Sequence, residues 1–336
     1  MTDDHRKVID AFLNNEEESR VPVAFWHHFV SFHDHYSGAD EEIYRTVLRE
    51  QKKFADEVKP DLLKIMSDGF FGHPSVCRKT IRTTEDLAEL GSVGAEHPWI
   101  TKQVEYVKEI CDYCGNDVYK YYNIFSPLQY IRLRFEEYDE DFRKFVRLFH
   151  ESPETMVKAA KCIASDTKCL VKRLFEETSV DGIYYSVQCV QDKLMTHEGH
   201  RKLVEPLDLD VLQYINRFSD RTILHICGYG KYTNHLSWYK EYPVKAYNWA
   251  VYSEGIGLAE GKKLLNEKPV LGGFDNAEGS ILYTGSEEEL REEIRRILDE
   301  AGTKGVAIGA DCTISSEVTA ERLELIRRLV SEYHKS

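Results

Sequence analysis

The chain lacks a long apolar run: nowhere do eighteen apolar residues follow one another, roughly the length a helix needs to cross a bilayer. Its first residues, MTDDHRKVIDAFLNN, are polar and charged where a secretory leader would carry an apolar stretch. A cytoplasmic location without a membrane partner is therefore expected. Positive charge is short as well: 58 acidic residues against 44 basic leave a net charge of −14. Such a surface repels phosphate backbones and anionic headgroups, which argues against nucleic acid as a partner. Cysteine is too sparse for a disulfide scaffold, and eight in 336 residues read as reduced thiols, some of them free to hold metal. Internal repeats, low-complexity tracts and Pro- or Ser-rich linkers are missing too. A chain of this length with 42% hydrophobic residues can bury one large core, so a single domain over 1–336 is expected.

What is present is a recurring alternation. Eight short β-branched or aromatic runs occur: VPVAFW from Val21, DLLKIMS from Asp61, YKYYNIF from Tyr119, DGIYYSVQ from Asp181, RTILHIC from Arg221, PVKAYNW from Pro243, PVLGGF from Pro269 and GVAIGAD from Gly305. Between them lie charged stretches of helical period. SEEELREEIRRILDEA, Ser286 to Ala301, opens on a cap residue and an acidic first turn and repeats Leu290, Ile294 and Leu298 on one face. Ser315 to Tyr333 reads as the closing helix. Eight βα units predict a parallel α/β fold closed as one (β/α)8, or TIM, barrel. The segment from Phe70 to Val118 is longer than one helix requires and carries Gly, Pro and His, which suits a lid over the mouth.

The chemistry is expected at the C-terminal ends of the strands. In LHICG, His225 and Cys227 stand two apart and so share a face of their strand, and Gly228 gives the backbone room to turn just after them. Cys312 follows the eighth run and returns to the same rim. One imidazole and two thiolates form a set that zinc favours, and three protein ligands leave a position open for water or substrate. The alternative is that all three are simply buried, as free Cys and satisfied His often are.

Four histidines, His27, His28, His33 and His35, crowd the loop after the first run. They are either substrate-binding, proton-shuttling or metal-ligating groups at the entrance, or a polar loop and no more. Cys111 and Cys114 form a CxxC where a helix ends at Gly115, and read as structural. Cys162 and Cys169 share a helix face, and Cys77 and Cys189 lack a partner pattern. Phe25, Trp26, Tyr184, Tyr185, Tyr229, Tyr232, Tyr247, Trp249 and Tyr252 lie near strand ends. About half of them are expected as core and the rest as the lining of a pocket for a large flat group.

Over nearly the whole chain, and most strongly in its last third, the sequence resembles the uroporphyrinogen decarboxylase superfamily, within it the zinc-dependent methyltransferases that take a methyl group from a corrinoid. LHICGYG, VLGGFDNAEG and GVAIGADCTIS are similar to that family's HxCG, GG-x-D and terminal Gly-x-x-Cys segments in order and spacing. The resemblance implies zinc on His225, Cys227 and Cys312, a methyl-corrinoid, free or on a partner protein, as donor, and a small-molecule acceptor such as a thiol. Upstream, KIMSDGFF places Asp68 where the family keeps a site aspartate, although Asp68 also suits a turn cap. Asp68 and Asp275 are thereby implied to orient substrate or accept a proton, with His27, His28, His33, Tyr185 and Asn248 as substrate contacts. Two departures stand out. Val21 to Tyr44 contains no Arg or Lys, so the counter-charges that hold a porphyrin tetracarboxylate are missing. Asn248 stands where some of these methyltransferases supply a carboxylate, which leaves water, Asn248 or a histidine as the fourth metal ligand. A decarboxylase or other lyase acting on a smaller acid, and a non-catalytic metal or corrinoid binder, are the alternative readings.

Overall fold

The computed structural model describes residues 5–36, 38, 40–77, 80–139, 143–188, 195–228 and 233–333. Cys189, Tyr229 and Tyr232 lie outside the described residues. Seven parallel strands, β1 (Leu62–Ile65), β2 (Tyr119–Phe125), β3 (Gly182–Val187), β4 (Ile223–Ile226), β5 (Ala246–Trp249), β6 (Val270–Phe274) and β7 (Val306–Ala310), pair in chain order. Every residue of every strand is buried, as expected of a parallel sheet covered on both faces. The result is a TIM-barrel-like α/β fold.

The expected first strand is the exception. Among the described residues, 21–26 forms no strand but touches β7 through isolated parallel bridges at Val23–Ile308 and His27–Ile314. Ala24 N–H donates to the Ile308 carbonyl and Ile308 N–H to the Pro22 carbonyl, both at 2.9 Å. On the other side, Asp61 N–H reaches the Val23 carbonyl at 3.4 Å. Pro22 has no N–H to give, so a regular ladder cannot run through this segment. Side chains hold it instead: the buried Asp61 carboxylate accepts from both Arg20 guanidinium ends at 2.7 and 2.5 Å and from Val23 N–H at 2.8 Å. The Arg20 and His5 hydrogen bonds overcome burial and hold Asp61 down at about 2.

Period-two alternation divides the sheet into an inside and an outside. Leu62 and Met66, Tyr119 and Tyr121, Tyr184, Ile223, Ala246, Leu271 and Ala307 pack together as the inner core, joined by Ala24 and Trp26. The amphipathic helix His5–Leu13 adds Ile9, Phe12 and Leu13 to it. Gly182 makes space for this packing, since a Cβ there would stand 2.6 Å from the Tyr121 ring. The outward residues join the larger core beneath the helices.

The helix read from Ser286 runs Glu287–Ala301 with Ser286 and Glu289 in a reciprocal capping box. The closing helix begins only at Ala320 and ends at Tyr333, because the chain after β7 first crosses the rim past Cys312 and bonds Ile314 N–H to the Trp26 carbonyl. The 70–118 segment, expected as a lid, packs mostly elsewhere. Its helices Pro74–Cys77, Thr84–Ala88 and Pro98–Cys114 pack on neighbouring helices, while Phe71 lines the cavity at the mouth. No helix among the described residues is long and apolar enough to cross a membrane.

Candidate metal centre

His225 sits in β4 between Ser186 of β3 and Asn248 of β5, in direct lateral register with both. Side chains paired across a parallel ladder point the same way, so the imidazole and the amide meet on the inner face of the sheet. His225 Nδ1 donates to Asn248 Oδ1 at 2.5 Å, and Tyr184 Oη donates to the same oxygen at 2.6 Å. Asn248 Nδ2 donates to the Leu271 carbonyl at 2.8 Å and the Ala310 carbonyl at 3.1 Å. Those two carbonyls can only accept, which fixes the amide's orientation; its oxygen must face His225, and His225 must carry its proton on Nδ1. The lone pair is thereby left on Nε2.

That nitrogen faces Cys312 Sγ at 3.4 Å, and the ligand atoms of His225, Cys227 and Cys312 all lie within 4.8 Å of one another. Cys227 continues past β4, its N–H bonded to the Val187 carbonyl at 2.9 Å and its own carbonyl accepting from Asn234 Nδ2 at 2.9 Å. Gly228 next to it has no positive φ. Its requirement is space, since a Cβ there would stand 2.4 Å from that of Ala250. Cys312 follows Asp311, whose N–H extends the sheet by bonding the Phe274 carbonyl. A hydrogen bond from Cys227 and the Lys64 ammonium hold the Cys312 thiol below the ordinary range, against its burial. Two sulfurs and a lone-pair nitrogen with its tautomer fixed from behind suit a thiophilic divalent ion.

The three ligands open on a cavity of about 190 Å³. Its walls include Lys64, Asn123, Ser186, Gln129 and Arg132, with Phe32, Tyr36, Phe71 and Phe125 as the aromatic part. Lys64 is buried, its Nζ 4.1 Å from the Tyr184 ring centre and 4.8 Å from that of Trp26. Burial pulls its pKa down to about 8 although both cysteines and Asp68 pull the other way. Composition-based reading missed Lys64, yet the signal is there: in DLLKIMS it falls on the inward register with Leu62 and Met66, and a lysine rarely occupies such a place without a task.

His28, His35 and Asp68 form a second group on the cavity wall. His28 Nδ1 meets Asp68 Oδ1 at 2.8 Å, and Phe29 N–H donates to Asp68 Oδ2 at 2.7 Å. Both histidines line the cavity, and Asp68 is buried behind them. His28 and other neighbours keep Asp68 ionised against its burial.

Other expected contacts lie elsewhere. His27 hydrogen-bonds the His28 carbonyl and packs on Phe29 and Phe54, beside a separate outer groove. His33 is exposed on a short 3-10 turn. Tyr185 is one residue out of phase with the site: it points outward, where it and Tyr242 donate to the buried Asp208 carboxyl at 3.3 and 2.9 Å. Tyr184 is the inward neighbour. Asp275 caps the turn after β6, accepting from Ala277 N–H at 2.9 Å, and does not line the cavity. Phe25, Tyr247 and Trp249 are core beneath the helices and Tyr252 is half exposed, so these rings do not form a pocket for a flat macrocycle. Cys111 and Cys114 are free thiols at the helix end before Gly115, and burial pushes Cys111 up to about 11.

Comparison with known proteins agrees with this architecture. The sequence model of the uroporphyrinogen decarboxylase family matches residues 71–333. No curated protein sequence matches the chain. Among solved structures, a methyltransferase from Methanosarcina mazei superposes with a TM-score of 0.73 at 13% identity, covering 98% of this chain and 99% of its own. A B12-independent methionine synthase from Shewanella sp. W3-18-1, solved with selenomethionine, gives 0.62 at 14% identity over 94% of this chain and 98% of its own. At such identities the likeness is one of fold.

Proposed function

The chain belongs to the uroporphyrinogen decarboxylase family, and from that premise we propose that it is a zinc-dependent methyltransferase carrying a methyl group from a methyl-corrinoid to a small thiol. One observation carries the reading: a tautomer-fixed imidazole and two sulfurs converge within 4.8 Å at the wall of a small cavity. His225, Cys227 and Cys312 would hold the metal. When bound, zinc supplies Lewis acidity that converts an acceptor thiol to a thiolate at neutral pH.

The chain's own residues prepare the rest. Asn248 holds the His225 ring so that Nε2 faces inward, and Tyr184 steadies Asn248 from the other side. Lys64 places a positive charge among the thiols without leaving its bed of aromatic rings. Phe71 and Phe125 line the cavity with apolar surface, which keeps water from competing with the acceptor sulfur. A space of about 190 Å³ falls below the roughly 300 Å³ at which pockets for drug-sized ligands begin. The acceptor is therefore small, and the corrinoid reaches it from outside the mouth, free or on a partner protein. The same reading takes 21–26 as the eighth stave of a closed barrel, supported by its bonds to β7 and to Asp61. It also keeps the protein in the cytoplasm, where thiols remain reduced.

The test is to incubate zinc-loaded protein with methylcobalamin and a panel of small thiols and follow the loss of cobalt–methyl absorbance. Turnover that needs zinc and disappears in Cys312→Ser supports the proposal. Zinc-loaded protein that demethylates no corrinoid with any thiol overturns it.

A further inference from the structure

We propose that His28, His35 and Asp68 form a second binding site for a divalent first-row transition ion, on the wall of the cavity that also holds His225, Cys227 and Cys312. One ligand atom from each of the three lies within 4.8 Å of the other two. Two imidazoles and one carboxylate, with the remaining positions open, are a set that such ions take.

The separations support a shared ion. His28 Nδ1 and Asp68 Oδ1 stand 2.8 Å apart, close to the roughly 3.0 Å between neighbouring ligands that each sit about 2.1 Å from one ion. The His28 and His35 ring centres are 4.1 Å apart and tilted by 39°; two imidazoles at right angles around one ion put their centres about 4.5 Å apart. The carboxylate is also held ready, since Phe29 N–H occupies Asp68 Oδ2 and leaves Oδ1 toward the histidines.

A separate observation points to a ligand. His35 is 5% exposed, it lines the cavity, and its Nε2 has no hydrogen-bond partner among the described residues. A buried polar atom left without a partner costs on the order of 1–3 kcal/mol, and the rest of the ring is packed between Phe71 and His28. A metal ion would use that lone pair. Binding replaces the proton shared by His28 Nδ1 and Asp68 Oδ1, which leaves to solvent, and forms metal–nitrogen and metal–oxygen bonds with no change of oxidation state.

Charge sets the order of filling. Lys64 and Arg132 line the cavity with the two cysteines, and Asp68 is buried behind its wall, so a divalent ion held by both sulfurs as thiolates turns the balance positive. The histidine site therefore fills second and more weakly.

Cobalt(II) titration of the full-length, metal-free protein reads the two sites separately, because only the sulfur site gives an intense thiolate-to-cobalt charge-transfer band. The expected result is a first equivalent with that band and a second, saturable equivalent with weak ligand-field bands alone. His35→Gln and Asp68→Asn should each abolish the second equivalent and keep the first, while Cys312→Ser, which leaves one thiolate, should roughly halve the charge-transfer band and keep the second. Circular dichroism confirms that the variants fold. Binding that stops at one equivalent in the wild type, or a second equivalent that survives both His35→Gln and Asp68→Asn in folded protein, overturns the proposal. Neither result bears on methyl transfer at the sulfur site, which is measured separately.

Discussion

Replacing Asn248 by Ala tests how the centre is held without touching a ligand. The substitution removes four buried hydrogen bonds at once: from His225 and Tyr184 to Oδ1, and from Nδ2 to the Leu271 and Ala310 carbonyls. At roughly 0.5–1.5 kcal/mol net for each neutral bond, the fold should lose about 2–6 kcal/mol, less whatever a water in the vacated space restores. The His225 ring, freed of its acceptor, can take the other tautomer or turn. Loss of such a supporting partner lowers metal affinity by roughly 10–100-fold. Competition for zinc against a chromophoric chelator measures this, with urea melts giving stability separately. Asn248→Asp is the companion variant: it keeps an acceptor for His225 Nδ1 but sets an oxygen against the Leu271 and Ala310 carbonyls. It should lose stability and retain affinity. If Asn248→Ala binds zinc within twofold of the wild type, or if Asn248→Asp loses affinity as much as Ala does, the positioning argument fails.

Other outcomes follow from the same contacts. Tyr184→Phe, which removes one bond to Asn248, should weaken zinc binding a few-fold, whereas Tyr185→Phe on the outer face should leave it unchanged; the same chelator competition decides. The Asp208 carboxyl, buried against Tyr185 and Tyr242, is pushed up to about 7. The folded protein thus holds a proton between pH 3.8 and 7 that the unfolded chain has released, and stability falls as pH rises through that window, by on the order of 4 kcal/mol. Asp208→Asn should therefore raise the melting temperature at pH 8 and change it little near pH 4. His200 runs the other way: burial brings its ring down to about 4, so it contributes stability above pH 6.5 that is lost on acidification toward pH 4. His200→Leu should flatten that limb of a pH–stability curve.

Much of the fold was legible because its signals are local. Seven of the eight apolar runs are strands, and the capping box at Ser286 sits where its sequence places it. The first run failed for a reason of pairing: Val21–Trp26 has the composition of a strand, but Pro22 denies it a ladder and Asp61 supplies a side-chain substitute. For the candidate site, the meeting of His225 and Cys227 was readable from period two, and that of Cys312 with them from its place after the last strand. Tyr185 was misplaced by a single residue, because a fully buried strand such as GIYYSV shows no alternation to fix its phase. His28 and His35 face the cavity while His27 and His33 do not. That sorting is made by the turn around His33–Tyr36, which has no period to read. Asn248 was recognised as belonging to the site but not as its brace, because the two carbonyls that orient it come from β6 and β7.

The most direct test of the centre is zinc K-edge X-ray absorption on protein loaded with one equivalent of zinc. The account predicts two sulfur scatterers at about 2.3 Å and nitrogen at about 2.0 Å, with the sulfur count falling to one in Cys227→Ser. A first shell without sulfur, or one unaltered by that substitution, would contradict it.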